Sequence, residues 1–177
     1  MGKFLELCLK RQSCRSFSER AIEREKLTNC VHAAALAHSA CNSQPWNFLV
    51  VEDRELCQKI AESAGIMGRN GFAAEAKAFF VVVEEHAVLM PSIRGLLDSQ
   101  YFAPFDIGAS VAYLCLEAAD QGLGTCIMGI FDRVKIAEAL GLPPEKRIKV
   151  IIATGYPKTE EIRAKTRKDI KEIAKFF

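Results

Sequence analysis

The chain has 177 residues, half of them apolar, with 24 basic against 22 acidic side chains for a formal charge of +2. That length and apolar fraction suit one soluble globular domain with a substantial core, and the nearly cancelled charge excludes a global field drawing the chain to nucleic acid or to a membrane surface. No charged-then-apolar leader opens the sequence and its apolar runs fall far short of the roughly 20 residues of a membrane span, so a cytoplasmic protein is expected.

Residues 3–10 place Phe4, Leu5, Cys8 and Leu9 at helical spacing and predict a short amphipathic helix. It leads into Arg11-Gln12-Ser13-Cys14-Arg15-Ser16-Phe17, which concentrates guanidinium and hydroxyl groups in a few residues. Such a composition suits phosphate, whose oxygens accept forked hydrogen bonds from Arg; a solvated basic turn is the alternative. Leu27, Cys30, Val31, Ala34 and Ala35 then predict an Ala-rich helix over 24–37. His32 and His38 flank it and read as structural or solvated rather than catalytic.

From His38 to Asp53 a polar loop runs directly into an apolar strand. Ser39, Asn42, Ser43 and Gln44 offer donors and acceptors, Pro45 is expected to hold Gln44 extended, and Trp46 to pin the loop to the body. The alternative is an ordinary turn held by a buried Trp. A strand over 47–51 and a helix opened by Asp53 and running through residue 62 follow. Residues 65–72 form a glycine-punctuated loop whose spacing matches no phosphate motif, so a plain loop comes first and a ligand border second.

The β-branched and aromatic run over 78–84 predicts a central strand buried on both faces. Between 86 and 105 the chain is poorly periodic, punctuated by Pro91, Gly95 and Pro104, with Tyr101 and Phe102 as candidate pocket aromatics. Residues 106–121 predict a helix with almost no polar face, which is expected to be buried. Gly122-Leu123-Gly124-Thr125-Cys126 stops it and leads to a strand over 127–131. Gly129 there marks either a close backbone approach or a strand bulge. A capped helix over 132–141, a strand over 148–154 ending in Gly155-Tyr156-Pro157, and a basic tail from Lys158 complete the chain.

Seven scattered cysteines without a Cys-x-x-Cys pair fit neither a disulfide framework nor a zinc site, and read as reduced thiols, several of them in the core. No Ser-His or carboxylate pair suggests nucleophilic or acid–base catalysis by side chains.

Several stretches, in this order, resemble the nitroreductase family of flavoenzymes: Arg11-x-Ser13-x-Arg15 after the first helix, Ser39-x-x-Asn42-x-Gln44-Pro45-Trp46, Gly122-Leu123-Gly124-Thr125-Cys126 with its following strand, and Gly155-Tyr156-Pro157. The loop departs from the family pattern at His38, where Pro is usual. The resemblance implies an α+β, three-layer α/β/α fold with a central mixed, mainly antiparallel sheet, as one FMN-binding domain over 1–177 whose tail from about 158 reaches a partner subunit. It implies a homodimeric oxidoreductase that binds FMN, is reduced by NADH or NADPH, and passes electrons in a ping-pong cycle to a nitroaromatic, quinone or similar acceptor. A flavin-binding redox sensor or storage protein with little turnover is the alternative.

On this resemblance Arg11, Ser13, Lys165 and Arg167 would meet the flavin phosphate, Gln12 would contact the cofactor, and Arg15 would place positive charge at the pyrimidine edge. Asn42 and Gln44 would reach ring or ribityl groups from the partner, Asn70 and Gly129 would border the ring, and Ser39, Ala40 and Met128 would also contact the cofactor. No metal, membrane or nucleic-acid partner is implied, and the flavin, not a side chain, carries the chemistry.

Overall fold

In the computed structural model, which describes every residue except 1, 89, 91 and 93–99, a four-stranded antiparallel sheet forms the middle layer. Its order is β1 (Trp46–Val51), β2 (Ala78–Glu84), β4 (Arg147–Gly155) and β3 (Gly124–Met128). Ser13 adds one parallel bridge to Thr125 on the outer edge of β3. Strand β2 is buried at all seven positions, as its unbroken apolar run predicts.

Alternation along the strands builds two cores. Phe79, Val81 and Val83 of β2, with Ile151, Ala153, Cys126 and Met128, pack on α3 (Arg54–Ala64) and α5 (Arg133–Ala139). Ala78, Phe80 and Val82, with Ile152, pack on α2 (Arg24–Ala35) and α4 (Ala103–Asp120). The α/β/α layering therefore follows from the period-two geometry of a doubly covered sheet. Asp53 and Asp132 start α3 and α5 by accepting hydrogen bonds from the first-turn amides, as expected of N-caps. The first helix, α1 (Lys3–Lys10), lies against α4 and buries none of its residues. At the other end Asp169 and Glu172 form a capping box on the one-turn α6 (Ile170–Ile173).

Three expectations are corrected. Helix α4 begins at Ala103 rather than residue 106, because Pro104 suits a first helical turn where its missing N–H is not needed. The strand expected over 127–131 instead runs Gly124–Met128, pairing with β4 from Gly155 to Ile151. Past Met128 the chain is drawn off the sheet: Asp132 N–H donates to the Ser63 carbonyl at 2.8 Å and the Asn70 amide to the Ile130 carbonyl at 3.2 Å. Finally, α4 is buried on one face only; Phe105 is 69% and Tyr113 43% exposed, continuous in character with Phe4 and Leu5 of α1. Pro91 and Gly95 lie outside the described residues. Among the described residues no helix is long and apolar enough to cross a membrane.

Candidate functional site

Two segments from opposite ends of the chain zip together to make the centre of the site. Phe17 bridges Pro157 antiparallel, Ser18 N–H donates to the Tyr156 carbonyl at 2.8 Å, and Lys158 N–H donates to the Ser16 carbonyl at 3.2 Å. The tail continues alongside: the Gln12 amide donates to the Glu161 carbonyl at 2.7 Å, and Arg163 donates to the Gln12 side chain and to the Ser13 carbonyl. Lys165 Nζ then donates to the Arg11 carbonyl at 2.7 Å. Two basic motifs, distant in sequence, thus share one place.

The same segment is pinned to the sheet from its other side. Cys14 N–H donates to the Thr125 carbonyl at 2.9 Å beside the Ser13–Thr125 bridge. Glycine is required for that approach, since a Cβ at Gly124 would stand 2.7 Å from Cys14 Cβ and Sγ, and one at Gly155 would stand 2.8 Å from the Phe17 ring. Close approach of protein on protein therefore explains Gly124 and Gly155. Gly129 is different: a Cβ there meets nothing within 4 Å, and the β3 register runs unbroken to Met128, so it is no bulge.

Basic groups crowd together here, and the carboxylate beside this segment, Glu75, is taken up by the Phe17 amide at 2.8 Å and Lys158 at 3.1 Å. Burial first, and then Arg167, Arg11 and Arg163, hold the Lys165 ammonium below its ordinary pKa. Among the described residues, none of Arg11, Arg15, Arg163, Lys165 and Arg167 forms an ion pair with a carboxylate. A cation cluster without its own counter-charge is electrostatically suited to an anion, because an arriving anion would remove the mutual repulsion. On the inner side burial pushes the Cys115 and Cys126 thiols up, while Arg11 beside both and Arg15 beside Cys126 act in the opposite direction. Arg11 borders one cavity with Cys115 of α4 and Ile127 of β3.

Beyond the cation cluster no further strand pairs with the edge of β3 among the described residues. The Thr125 carbonyl points outward to Cys14, so two residues on the backbone of Ile127 faces the same way. Met128 turns its side chain into the core and Gly129 leaves open space. Asn70, left-handed at φ 57°, ties its loop here by donating to the Ala64 and Ile130 carbonyls. Arg11, Gln12, Ser13, Arg15, Lys165, Met128, Gly129 and Asn70 therefore lie along one edge, with Arg167 next to Lys165.

The loop of Ser39, Ala40, Asn42 and Gln44 does not join them. It feeds β1, the edge strand opposite β3, about 14 Å away across three strand spacings. Ala40 N–H faces both carboxylate oxygens of Asp106, at 3.1 and 3.2 Å. Ser39 Oγ accepts from Gln44 N–H at 3.0 Å, and the Gln44 amide donates to the Asn42 carbonyl at 3.2 Å. Gln44 is not extended as Pro45 led us to expect; its φ is +47°, with +53° at Cys41 and +51° at Asn42. The turn bonds within the loop outweigh the usual restriction before proline. Trp46 is half-buried against the α2/α4 core, in keeping with a pin. Beside Asp106, Tyr101 stands edge-on to Phe102 at 5.0 Å and 6.3 Å from Phe105, forming an aromatic group with two exposed rings.

Sequence reasoning missed Arg163 and Asp106. Arg163, Lys165 and Arg167 alternate, so an extended tail puts all three on one side, and that signal was available. Nothing local marked Asp106, whose partner is 66 residues away. A cavity of about 1100 Å³ between α3 and the segment leading into α2 lies elsewhere; of the charges lining it, Lys77 pairs with Glu19 and Arg24 with Glu52.

Comparison with known proteins agrees with this geometry. A profile described as the nitroreductase family matches residues 8–156. A relative from Archaeoglobus fulgidus, provisionally named NADH dehydrogenase/NAD(P)H nitroreductase, is 33% identical over 89% of each chain. An iodotyrosine deiodinase of Thermotoga neapolitana is 28% identical over 89% of this chain and 90% of its own. A nitroreductase family protein from Clostridium novyi, solved by crystallography, superposes with a TM-score of 0.76 at 28% identity, covering 92% of this chain and 89% of that one. A doubly covered antiparallel sheet, and a family match over residues 8–156 that takes in the Arg11–Arg15 turn and the Gly124–Met128 strand it is pinned to, place this chain in the nitroreductase family.

Proposed function

We propose that the chain is an FMN-dependent oxidoreductase of the cytoplasm, working as a homodimer and folded over 1–177 as one FMN-binding unit. The observation that carries this reading is the cation cluster of Arg11, Arg163, Lys165 and Arg167, which has no carboxylate partner among the described residues and lies beside an open strand edge. Its charge suits a phosphate monoester, with Ser13 and Gln12 completing the turn. The backbone of Ile127 and the open space at Gly129 suit the polar edge and the face of a flat ring, with Asn70 bordering it. Arg15 supplies a cation near the pyrimidine edge, where negative charge develops on reduction.

When bound, FMN would accept hydride from NADH or NADPH and pass electrons to a nitroaromatic, quinone or similar small acceptor in a ping-pong cycle. The opposite placement of the Ser39–Gln44 loop supports a second chain, since only a partner's loop could reach the same flavin. The exposed apolar face of α4 and α1 is a fitting contact for that partner, and the tail, with Ile170, Ile173, Phe176 and Phe177 exposed, is suited to reach across to it. Fluorescence titration tests the reading: FMN should bind at about one per chain and riboflavin, lacking the phosphate, far more weakly. Equal affinity for the two would remove the phosphate assignment. Steady-state oxidation of NADH or NADPH with a quinone then separates an enzyme from a flavoprotein of little turnover.

A further inference from the structure

Asp106 is 6% exposed and sits in the first turn of α4, where the helix N-terminus favours a negative charge. Among the described residues no cation pairs with it; both of its oxygens face the amide of Ala40. A buried carboxylate directed at one distant backbone N–H fixes where that N–H lies. Ala40 is the residue at which the loop starts its single tight turn, Ala40–Asn42. Immediately afterwards Cys41, Asn42 and Gln44 hold positive φ angles, which Asn accepts readily and Cys and Gln do not. Such a conformation persists only where its surroundings over-determine it. Of the hydrogen bonds found on Ser39–Gln44, those of Ser39, Asn42 and Gln44 are internal to the loop apart from the Gln44 carbonyl, which accepts from Trp46 N–H where β1 begins, whereas Asp106 ties the loop to a helix of the body. Among the described residues the carboxylate bonds nothing within α4; both of its recorded hydrogen bonds come from Ala40.

We propose that Asp106 is a positioning residue: it holds the Ser39–Gln44 loop in the left-handed conformation that presents Asn42 and Gln44 to the flavin of the partner chain. This rests on the functional reading above. The loop is then pre-organised before the flavin arrives, and the affinity for the ring and ribityl part depends on a side chain that touches no part of it.

The test compares the full-length wild type with Asp106→Asn and Asp106→Ala. Asn keeps an oxygen that can accept from Ala40, and Ala keeps none. Amide hydrogen exchange over residues 38–46 of the flavin-free protein reads the loop, and titrations with FMN and with riboflavin read the site. The expected result is about tenfold faster exchange in that segment for Asp106→Ala, with FMN and riboflavin weakened by the same factor, about tenfold, because the phosphate grip is untouched. Asp106→Asn should restore both readouts to within about threefold of wild type. Unchanged exchange and affinity in Asp106→Ala overturn the proposal. So does a loss confined to FMN, or a general rise in exchange across the whole chain. If the wild type binds neither flavin, the functional reading falls and the flavin half of this inference with it, while the exchange measurement still decides whether Asp106 holds the loop.

Discussion

Two glycines five residues apart give opposite expectations for the same substitution. At Gly129 an added methyl meets nothing within 4 Å and the backbone is not left-handed, so Gly129→Ala should leave the stability of the flavin-free protein within about 0.5 kcal/mol of wild type. If the bound ring fills that space, the methyl overpacks it, at about 1–3 kcal/mol, which weakens FMN roughly 5- to 150-fold. At Gly124 the Cβ would stand 2.7 Å from Cys14 Cβ and Sγ and 3.2 Å from Pro157. Cys14 has little freedom to yield, since its N–H is held by the Thr125 carbonyl and its thiol by the Ser16 carbonyl. Gly124→Ala should therefore cost about 1–3 kcal/mol of apo stability, lowering Tm by roughly 2–4 °C per kcal/mol, and should also weaken FMN because Cys14 lies between Ser13 and Arg15. Thermal denaturation of the flavin-free variants and fluorescence titration with FMN separate the cases. A Gly129→Ala protein that binds FMN as tightly as wild type refutes the placement of the ring at that glycine.

Arg11→Gln should mainly weaken FMN relative to riboflavin, whereas Arg15→Gln should lower the flavin midpoint potential and slow reduction by NAD(P)H while keeping most of the affinity; redox titration and stopped-flow reduction check both. Phe105→Glu, at a residue 69% exposed on α4, should shift the protein toward monomer in sedimentation and lower its flavin content together, and a flavin-loaded monomer at micromolar concentration would count against the shared site. Glu23 is held at about 2, below its ordinary 4.5, first by the Tyr156 hydroxyl and then by a backbone amide and Arg20. Its contribution is therefore fully present above about pH 4.5 and lost as the pH falls toward 2, so the stability difference between wild type and Glu23→Gln in urea should shrink over that interval and not above it.

The order and type of the elements were legible because their causes are local. A fully apolar run such as 78–84 has nowhere to go but the middle of a covered sheet, and Asp53 and Asp132 announce their helices by the amides they can accept. The Arg11–Arg15 turn, the Ser39–Gln44 loop and the Gly124–Cys126 connector were legible as motifs through their resemblance, in order, to the nitroreductase family; alone, the first reads as a solvated basic turn. What the chain order could not express was which of these groups meet. Lys165 reaches Arg11 only because the tail pairs with residues 12–18 after both have been laid against β3 and β4, while Ser39–Gln44 is carried to the opposite edge by the strand order β1-β2-β4-β3. Likewise, α4 reads as apolar all round, but whether that surface ends inside the chain or faces outward depends on how much of it α2 and the sheet cover. Local periodicity and capping fix what each segment is; distances between segments are set by strand order and packing, which arise only when the whole chain competes for the same buried surface.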